Sequence, residues 1–452
     1  MAIKLYNTLS QKKENFRPTK GKTVSFYTCG PTVYQRAHIG NLRTYINEDL
    51  LKRALLLNGL KVKQIMNITD VGHLEHDSDT GEDKIEKEAR ETKKSAWDIA
   101  RNYEEIFKED LRKLNVIFPD KFPRATEHIK EQIKLIKQLE KKGFTYKTSD
   151  GIYFDTKKFK NYGVLVKSKL KGIQSGARTD MREKRNPTDF ALWKFSTTKR
   201  QMEWESPWGT GFPGWHLECS AISIKYLGMP IDIHAGGVDH IHPHHTNEIA
   251  QSEAAYGKKF VKTWMHNEFL QIDKGRMGKS EGNALDLDTL KEKGFEPLDF
   301  RYLTLTAHYR SPLSFTWESL SAAKNARLKL EEKMPEAKSD KKNFAKFKKD
   351  FLGAIQDDLN IPKALAFVWK SQGKEALLFA DKILGLGLDK VKKIKATGGV
   401  ERLLKEREAL REAKKWDEAD KIRAKILELG YIIEDSSAGP KLKKSTLEGR
   451  QA

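Results

Sequence analysis

Between residues 23 and 68 the chain reads as strand, turn, helix and second strand, an order that few folds accept. Thr23-Val-Ser-Phe-Tyr-Thr28 is rich in β-branched and aromatic residues and reads as a short strand. Cys29-Gly-Pro31 turns the chain, and a loop runs on to His38-Ile-Gly-Asn41. Leu42, Ile46, Leu50, Ala54 and Leu57 then share one helical face until Asn58-Gly59 stops it. Lys61-Val-Lys-Gln-Ile-Met-Asn-Ile68 is the second strand. A strand followed by a helical crossover and another strand is how a parallel sheet begins, so this segment predicts a doubly wound, nucleotide-binding α/β domain.

Further along, 82–118 and 124–142 read as helical, and the lysine-rich stretch 143–200 reads as an insertion with short β-like runs. The strand pattern returns at Ile231-Asp-Ile-His234 with a helix over 247–256, so the sheet resumes after the insertion. Residues 286–334 and 340–372 are predicted as amphipathic helices, and 400–429 as a helical hairpin. With 21 Phe, 13 Tyr and 9 Trp in 452 residues, the chain carries the aromatic load of a globular protein rather than a disordered one. No apolar run reaches the roughly 18 residues of a membrane span. Met1–Leu9 has no secretory pattern, and two cysteines are too few for a disulfide scaffold, so a cytoplasmic protein without a membrane partner is expected. The net charge of +21 is uneven: residues 121–200 carry +13, residues 321–452 carry +10, and the remainder carries −2. Two basic segments of this size suit a polyanion such as a nucleic acid, although a solvated lysine-rich surface gives the same count.

Two groups of residues carry candidate chemistry. Cys29, Cys219, His244 and Glu248 offer two thiols, an imidazole and a carboxylate, a donor set suited to zinc. His244 and Glu248 are four apart and share a face on a helix starting near Pro243, whereas Cys29 and Cys219 are distant. Such a site exists only after tertiary folding; two buried cysteines beside a solvated histidine loop are the alternative. His38-Ile-Gly-Asn41 stands where a helix begins directly after a strand, a place whose free N–H groups and dipole favour phosphate. Asp273-Lys-Gly-Arg-Met-Gly-Lys-Ser-Glu-Gly-Asn283 is a glycine-rich loop whose Lys274, Arg276 and Lys279 can neutralise a triphosphate. It does not have the spacing of a Walker loop.

Taken in order, Tyr27-Thr-Cys-Gly-Pro-Thr-Val-Tyr34, His38–Asn41, Asn67-Ile-Thr-Asp70, Asn186-Pro-Thr-Asp-Phe-Ala-Leu-Trp-Lys194, Pro213-Gly-Trp-His-Leu-Glu-Cys-Ser220, Pro243-His-His-Thr-Asn-Glu-Ile-Ala-Gln251 and Arg276-Met-Gly-Lys-Ser280 resemble the cysteinyl-tRNA synthetases, a class I aminoacyl-tRNA synthetase family. The resemblance covers nearly the whole chain. Arg276 and Gly278 depart from the family's ATP loop, Phe212 stands where an arginine is common, and the tail 434–441 lacks a Trp-Arg ending.

The resemblance implies a catalytic domain split by a connective insertion and followed by an all-α anticodon-binding domain. The expected boundaries are 1–120 and 206–270 for the two catalytic halves, 121–205 for the insertion and 271–320 for a stem-contact region. A helical bundle is expected at 321–395, and a helical hairpin and tail at 396–452. The implied activity is cysteine–tRNA ligation. ATP and L-cysteine give cysteinyl-adenylate, and the acyl group passes to the 3′ end of tRNA(Cys). A ligase acting on an amino-sugar through the same adenylate is the alternative. The family's zinc ligands fall on Cys29, Cys219, His244 and Glu248. Its cysteine pocket falls on Gly30, Thr69, Trp215 and Asp239. Its ATP-binding residues fall on His38, Gly40, Asn41, Lys279 and Ser280, with His38 and Lys279 catalytic and Mg²⁺ accompanying ATP. A monomer is expected.

Overall fold

The computed structural model describes residues 3–444 apart from 72–73, 77–79, 167–182, 197–198, 273–274, 277–283, 392–397 and 436–439. Four parallel strands form the central sheet: β1 (Thr23–Thr28), β2 (Lys61–Met66), β3 (Ile231–Gly237) and β4 (Val261–Asn267), in the order β4-β3-β1-β2. Tyr27 lies opposite Ile65 on one side and His234 on the other, and His234 lies opposite Trp264. Chain direction runs outward from the middle. β1 leads through helix α1 (Ile39–Leu57) to β2, whereas β3 leads through the later helix α3 (Thr246–Tyr256) to β4. The order therefore reverses between β1 and β3, and in open α/β sheets ligands bind beyond the carboxyl ends of the strands at such a point. Asp232 ties the two strands by accepting from the Ser25 N–H at 3.0 Å and its hydroxyl at 2.9 Å.

α1 follows the predicted apolar face, with Leu42, Ile46, Leu50 and Ala54 buried. It is also buried where its sequence is polar, because later helices cover its other side. Arg43 donates to the carbonyls of Glu268 (2.7 Å), Phe269 (2.5 Å) and Ser311 (2.7 Å), and Lys52 to that of Phe118 (2.6 Å). Buried cations without such acceptors would be costly.

Residues 145–147, 151–154, 190–195 and 211–213 form an antiparallel sheet, the last strand lying beyond residue 205, the expected end of the insertion. Phe154, Phe190, Leu192 and Trp193 pack with helix Ile129–Lys141 and with Leu217 and Ala221 of α2 (Trp215–Leu227).

Three helical expectations are corrected, one being 340–372, which is two helices, Lys341–Gln356 and Ile361–Lys370, parted at Asp358 and Leu359, whose φ values are +60° and +52°. The stretch 82–118 is two helices, Lys84–Thr92 and Ala96–Lys113, parted at Lys93, whose φ is +57°. The stretch 286–334 is interrupted after Gly294, and Leu313–Phe315 is a strand pairing with Leu270–Ile272. Phe315 is buried there, so its apolar residues serve a sheet edge rather than a helix face.

The chain divides into one unit of residues 1–331 and 337–389 and another of 332–336 and 390–452. In the second, helices Gly398–Glu412 and Trp416–Glu428 close with a small antiparallel ribbon on Val400, Ile422, Ile426 and Ile433. Among the described residues no helix is long and apolar enough to cross a membrane.

Candidate active site

β1 delivers Cys29 to the crevice between β1 and β3. The next residue must be glycine, since a Cβ at Gly30 would lie 1.7 Å from the Asn67 carbonyl oxygen. α2 presents Cys219 after one turn, and its Sγ lies 4.0 Å from that of Cys29. The turn leading into α3 carries His244, whose Nε2 is 3.2 Å from Glu248 Oε1, the i, i+4 pairing expected. Cys29 Sγ is 4.0 Å from the same oxygen. All four side chains are buried, Glu248 completely.

These separations match the donor chemistry. Around a tetrahedral ion with bonds of about 2.3 Å to sulfur and 2.0–2.1 Å to nitrogen or oxygen, two sulfurs stand about 3.8 Å apart and a nitrogen and oxygen about 3.3 Å. The four residues therefore fit a zinc ion. Among the described residues a second donor group, Cys29, His234, His245 and Glu248, overlaps the first, and in each group the donor atoms lie within 4.8 Å of one another. Sequence reasoning assigned His234 and His245 no ligand role. Here His234 Nε2 lies 3.2 Å from Glu248 Oε2 and His245 Nε2 3.4 Å from Cys29 Sγ. His245 Nδ1 in turn pairs with His266 Nε2 at 2.8 Å, and His266 Nδ1 with the Thr8 hydroxyl at 2.8 Å.

Burial shapes the protonation of the cluster. It pushes the Cys219 thiol up, but hydrogen bonding to Cys29 and His244 outweighs this and brings it to about 6. Burial also pushes His244 down, and its hydrogen bonds to Cys219 and Glu248 reverse the shift, to about 10. Glu248 is held at about 2, its burial outweighed by His234 and His244. Cys29 is driven well up by burial, then by its bond to Cys219.

The other expected pocket residues lie around this cluster. The Trp215 ring packs on His244 with centroids 4.5 Å apart, and His244 Nδ1 meets His216 Nδ1 at 2.9 Å. Asp239 follows β3, and a Cβ at Gly237 would lie 2.2 Å from its Oδ1. Thr69 is buried; its N–H donates to the Pro31 carbonyl at 3.0 Å and its carbonyl accepts from Val33 N–H at 3.1 Å. The Thr69 hydroxyl donates to Glu218, a residue that sequence reasoning missed. Burial, and then the neighbouring Cys219, push the Glu218 carboxyl well above its usual range. Glu218 lies inside the resembling block Pro213–Ser220, but nothing in its local pattern distinguishes it from a surface acid.

The phosphate candidates sit at the start of α1. His38 is its N-cap, accepting from Asn41 N–H at 3.2 Å through Nδ1, and Gly40 lies in the first turn. Ile39 N–H donates to the Leu285 carbonyl at 2.7 Å, which brings the segment after the glycine-rich loop to this helix end. Lys279 and Ser280 lie outside the described residues.

In the second unit Trp416 is 56% exposed, and the Arg411 guanidinium stands 5.8 Å from its ring centroid. An exposed tryptophan beside a cation is a surface on which a nucleobase can stack.

Residues 15–325 match the family model described as tRNA synthetases class I (C) catalytic domain, and residues 395–440 match the Cysteinyl-tRNA ligase anticodon binding domain. A Burkholderia lata protein named Cysteine--tRNA ligase 1 is 48% identical over 98% of this chain and 97% of its own. Relatives named Cysteine--tRNA ligase are 42% identical in Treponema denticola, covering 98% and 100%, and 38% in Thermus thermophilus, covering 98% and 99%. Among solved structures, Mycobacterium tuberculosis methionyl-tRNA synthetase bound by methionyl-adenylate superposes with a TM-score of 0.56 over 83% of this chain and 86% of that one. At 14% identity it shares the fold alone.

Proposed function

The chain belongs to the cysteinyl-tRNA synthetase family of class I tRNA synthetases, an enzyme family ligating cysteine to tRNA, and from that premise we propose how its residues divide the reaction. ATP and L-cysteine combine to cysteinyl-adenylate with release of pyrophosphate, and the 3′ hydroxyl of tRNA(Cys) then takes the cysteinyl group. No step calls for a protein nucleophile, so positioning and charge stabilisation carry the catalysis.

The observation that carries this reading is the convergence of Cys29, Cys219, His244 and Glu248, four buried donors from three separate stretches, at the reversal point of the sheet. These four residues would hold zinc. When bound, the metal supplies a soft acceptor for the substrate sulfur that a serine hydroxyl satisfies poorly. Serine differs from cysteine by one atom, and a purely apolar pocket separates such pairs by only about 1–3 kcal/mol.

The remaining roles belong to the chain itself. Trp215 walls the pocket and keeps water from the sulfur; its packing on His244 supports this assignment. Asp239 and Thr69 receive the ammonium, and Gly30 lets the substrate approach the backbone. His38, Gly40 and Asn41 hold the phosphates at the start of α1, where backbone N–H groups and the helix dipole favour anions. Lys279 and Ser280 bind the transferring and leaving phosphates, with Mg²⁺ accompanying ATP. The enzyme works as a cytoplasmic monomer.

Transfer to an amino-sugar finds no support, since residues 395–440 match an anticodon-binding domain that such an enzyme has no use for. ATP–pyrophosphate exchange measured with each of the twenty amino acids tests the proposal. Exchange with cysteine alone is expected; exchange with serine at a comparable rate would overturn the selection role given to the metal.

A further inference from the structure

The chain neighbours of the two thiols, Gly30 and Glu218, are joined through the side chains of Asn67 and Thr69. Gly30, which follows Cys29, donates its N–H to Asn67 Oδ1 at 2.9 Å. Asn67 Nδ2 donates to the Thr69 hydroxyl at 3.1 Å and reaches Glu218 Oε1 at 3.5 Å. The Thr69 hydroxyl donates to that same Glu218 oxygen. Glu218 immediately precedes Cys219. Asn67, Thr69 and Glu218 are each at most 2% exposed, so water is not available to replace these bonds.

The geometry points to Asn67 and Glu218 as positioning residues that set the separation and aim of the Cys29 and Cys219 thiols. The inference rests on the reading of those thiols as metal ligands. The turn after Cys29 is tied to the Asn67–Thr69 stretch, with Thr69 N–H donating to the Pro31 carbonyl and Val33 N–H to the Thr69 carbonyl, and Cys219 lies in the second turn of its helix. The same stretch thus holds the turn of one thiol and reaches the neighbour of the other. The Asn67–Thr69–Glu218 network joins the backbone beyond one to the side chain before the other. The absence of a Cβ at Gly30 is part of the device, because it lets the turn close on the Asn67 backbone.

Hydrogen-bond inventory sharpens the point. A threonine hydroxyl has one proton and two lone pairs. The proton goes to Glu218 and one lone pair receives Asn67 Nδ2–H. The hydroxyl retains one acceptor position, which suits an ammonium and offers nothing to a second acceptor. Glu218 thus acts on the pocket through Thr69 as well as on the metal cluster through the chain. Groups that orient metal ligands from outside the coordination sphere typically change metal affinity 10–100-fold when lost.

The test uses the full-length protein and reads metal binding separately from activity. Zinc affinity is measured by competition with a chromophoric chelator, and the cobalt-substituted protein is examined for its thiolate-to-metal absorption. Glu218→Ala and Asn67→Ala are expected to weaken zinc binding about 10–100-fold and to alter the cobalt spectrum. Glu218→Gln, which keeps an acceptor oxygen for Thr69, should retain most of the affinity. In cysteine-dependent pyrophosphate exchange the alanine variants should raise KM for cysteine while leaving KM for ATP nearly unchanged. If Glu218→Ala does not fold, Asn67→Ser supplies the same readout from the other end of the network. A wild-type protein that retains no zinc or cobalt overturns the metal reading itself. Tight binding in the wild type with unchanged affinity and spectrum in the folded variants overturns the positioning role alone.

Discussion

Arg301 and Asp49 meet with both side chains wholly buried, Nη2 to Oδ2 at 2.6 Å. Arg301 also donates to the carbonyls of Leu384 at 2.7 Å and Leu114 at 2.9 Å, so one guanidinium binds three separate stretches of the larger unit to α1. Asp49→Leu removes the carboxylate bonded to this buried cation and leaves the guanidinium with its carbonyl acceptors and the more distant Asp381. A loss of about 3–5 kcal/mol in urea unfolding is expected. Arg301→Met should cost less than that, because Asp49 keeps Arg53 Nε at 2.7 Å. Equal losses would mean that the carbonyl bonds, not the pair, dominate.

The metal proposal predicts about one zinc per chain in protein purified without chelator. Cys219→Ser exchanges a thiolate for an alcohol and should lose most of it. Dialysis of the wild type against a chelator should lower the unfolding temperature of the larger unit, because a ligand bound only by the folded state stabilises it. Active enzyme without zinc by elemental analysis would refute the assignment.

Lys279→Ala should slow pyrophosphate exchange about 100-fold, equivalent to about 3 kcal/mol of barrier, with cysteine binding little changed. A fall in cysteine affinity at a preserved rate would transfer Lys279 from the phosphates to the amino acid.

Asp70 accepts from the Thr126 N–H at 3.0 Å and its hydroxyl at 2.6 Å. Burial nevertheless raises it from 3.8 to about 6. Between those values the folded state binds more protons than the unfolded one, so stability falls as pH rises from about 4 to about 6 and is level above that. The size of the fall is on the order of 3 kcal/mol. Denaturation midpoints at several pH values should lose this component in Asp70→Asn, and a slope that persists in the variant would place its origin elsewhere.

Trp416→Ala should reduce tRNA charging about 10–100-fold at constant cysteine activation, since a base stacked on an aromatic ring is worth about 1–3 kcal/mol. Trp416→Phe should recover part of the loss. Rising salt should weaken tRNA binding steeply and exchange only slightly, because counterion release accompanies phosphate contacts. Equal effects of Trp416→Ala on both half-reactions would place its role in the fold.

The β-rich runs and the apolar stripe of α1 located β1, α1 and β2 to within a few residues, because turn signals at Cys29-Gly30-Pro31 and Asn58-Gly59 bound them. The stretch 286–334 was not legible in this way. Leu313 and Phe315 are two apart, a strand spacing, but a run of three residues is too short to stand out from flanking helical patterns without its partner strand at 270–272. His244 and Glu248 were legible locally. Cys29 and Cys219 could be grouped with His244 and Glu248 on donor chemistry, but their spacing carries no signal of its own, and the family resemblance supplied the specific assignment. Asn67, His216 and Glu218 lay inside the resembling blocks but carried no assigned role, because buried side-chain bonds between distant segments have no period. His234 and His245 were visible as histidines, but their approach to Glu248 and Cys29 depends on β3 lying beside β1.

On the proposed assignment, the distance along the chain between the metal's donors has a consequence during synthesis. Cys29 leaves the ribosome early, while His244 and Glu248 appear only after the insertion and α2 have been made. Until β3 has docked on β1, the chain has no four-donor site of this kind, and its two cysteines remain ordinary thiols open to oxidation. Capture of the ion then coincides with closure of the sheet, so the loaded protein is one whose catalytic halves have already found each other. Metal content in newly made chains would thus serve as a register of completed folding, independent of any turnover.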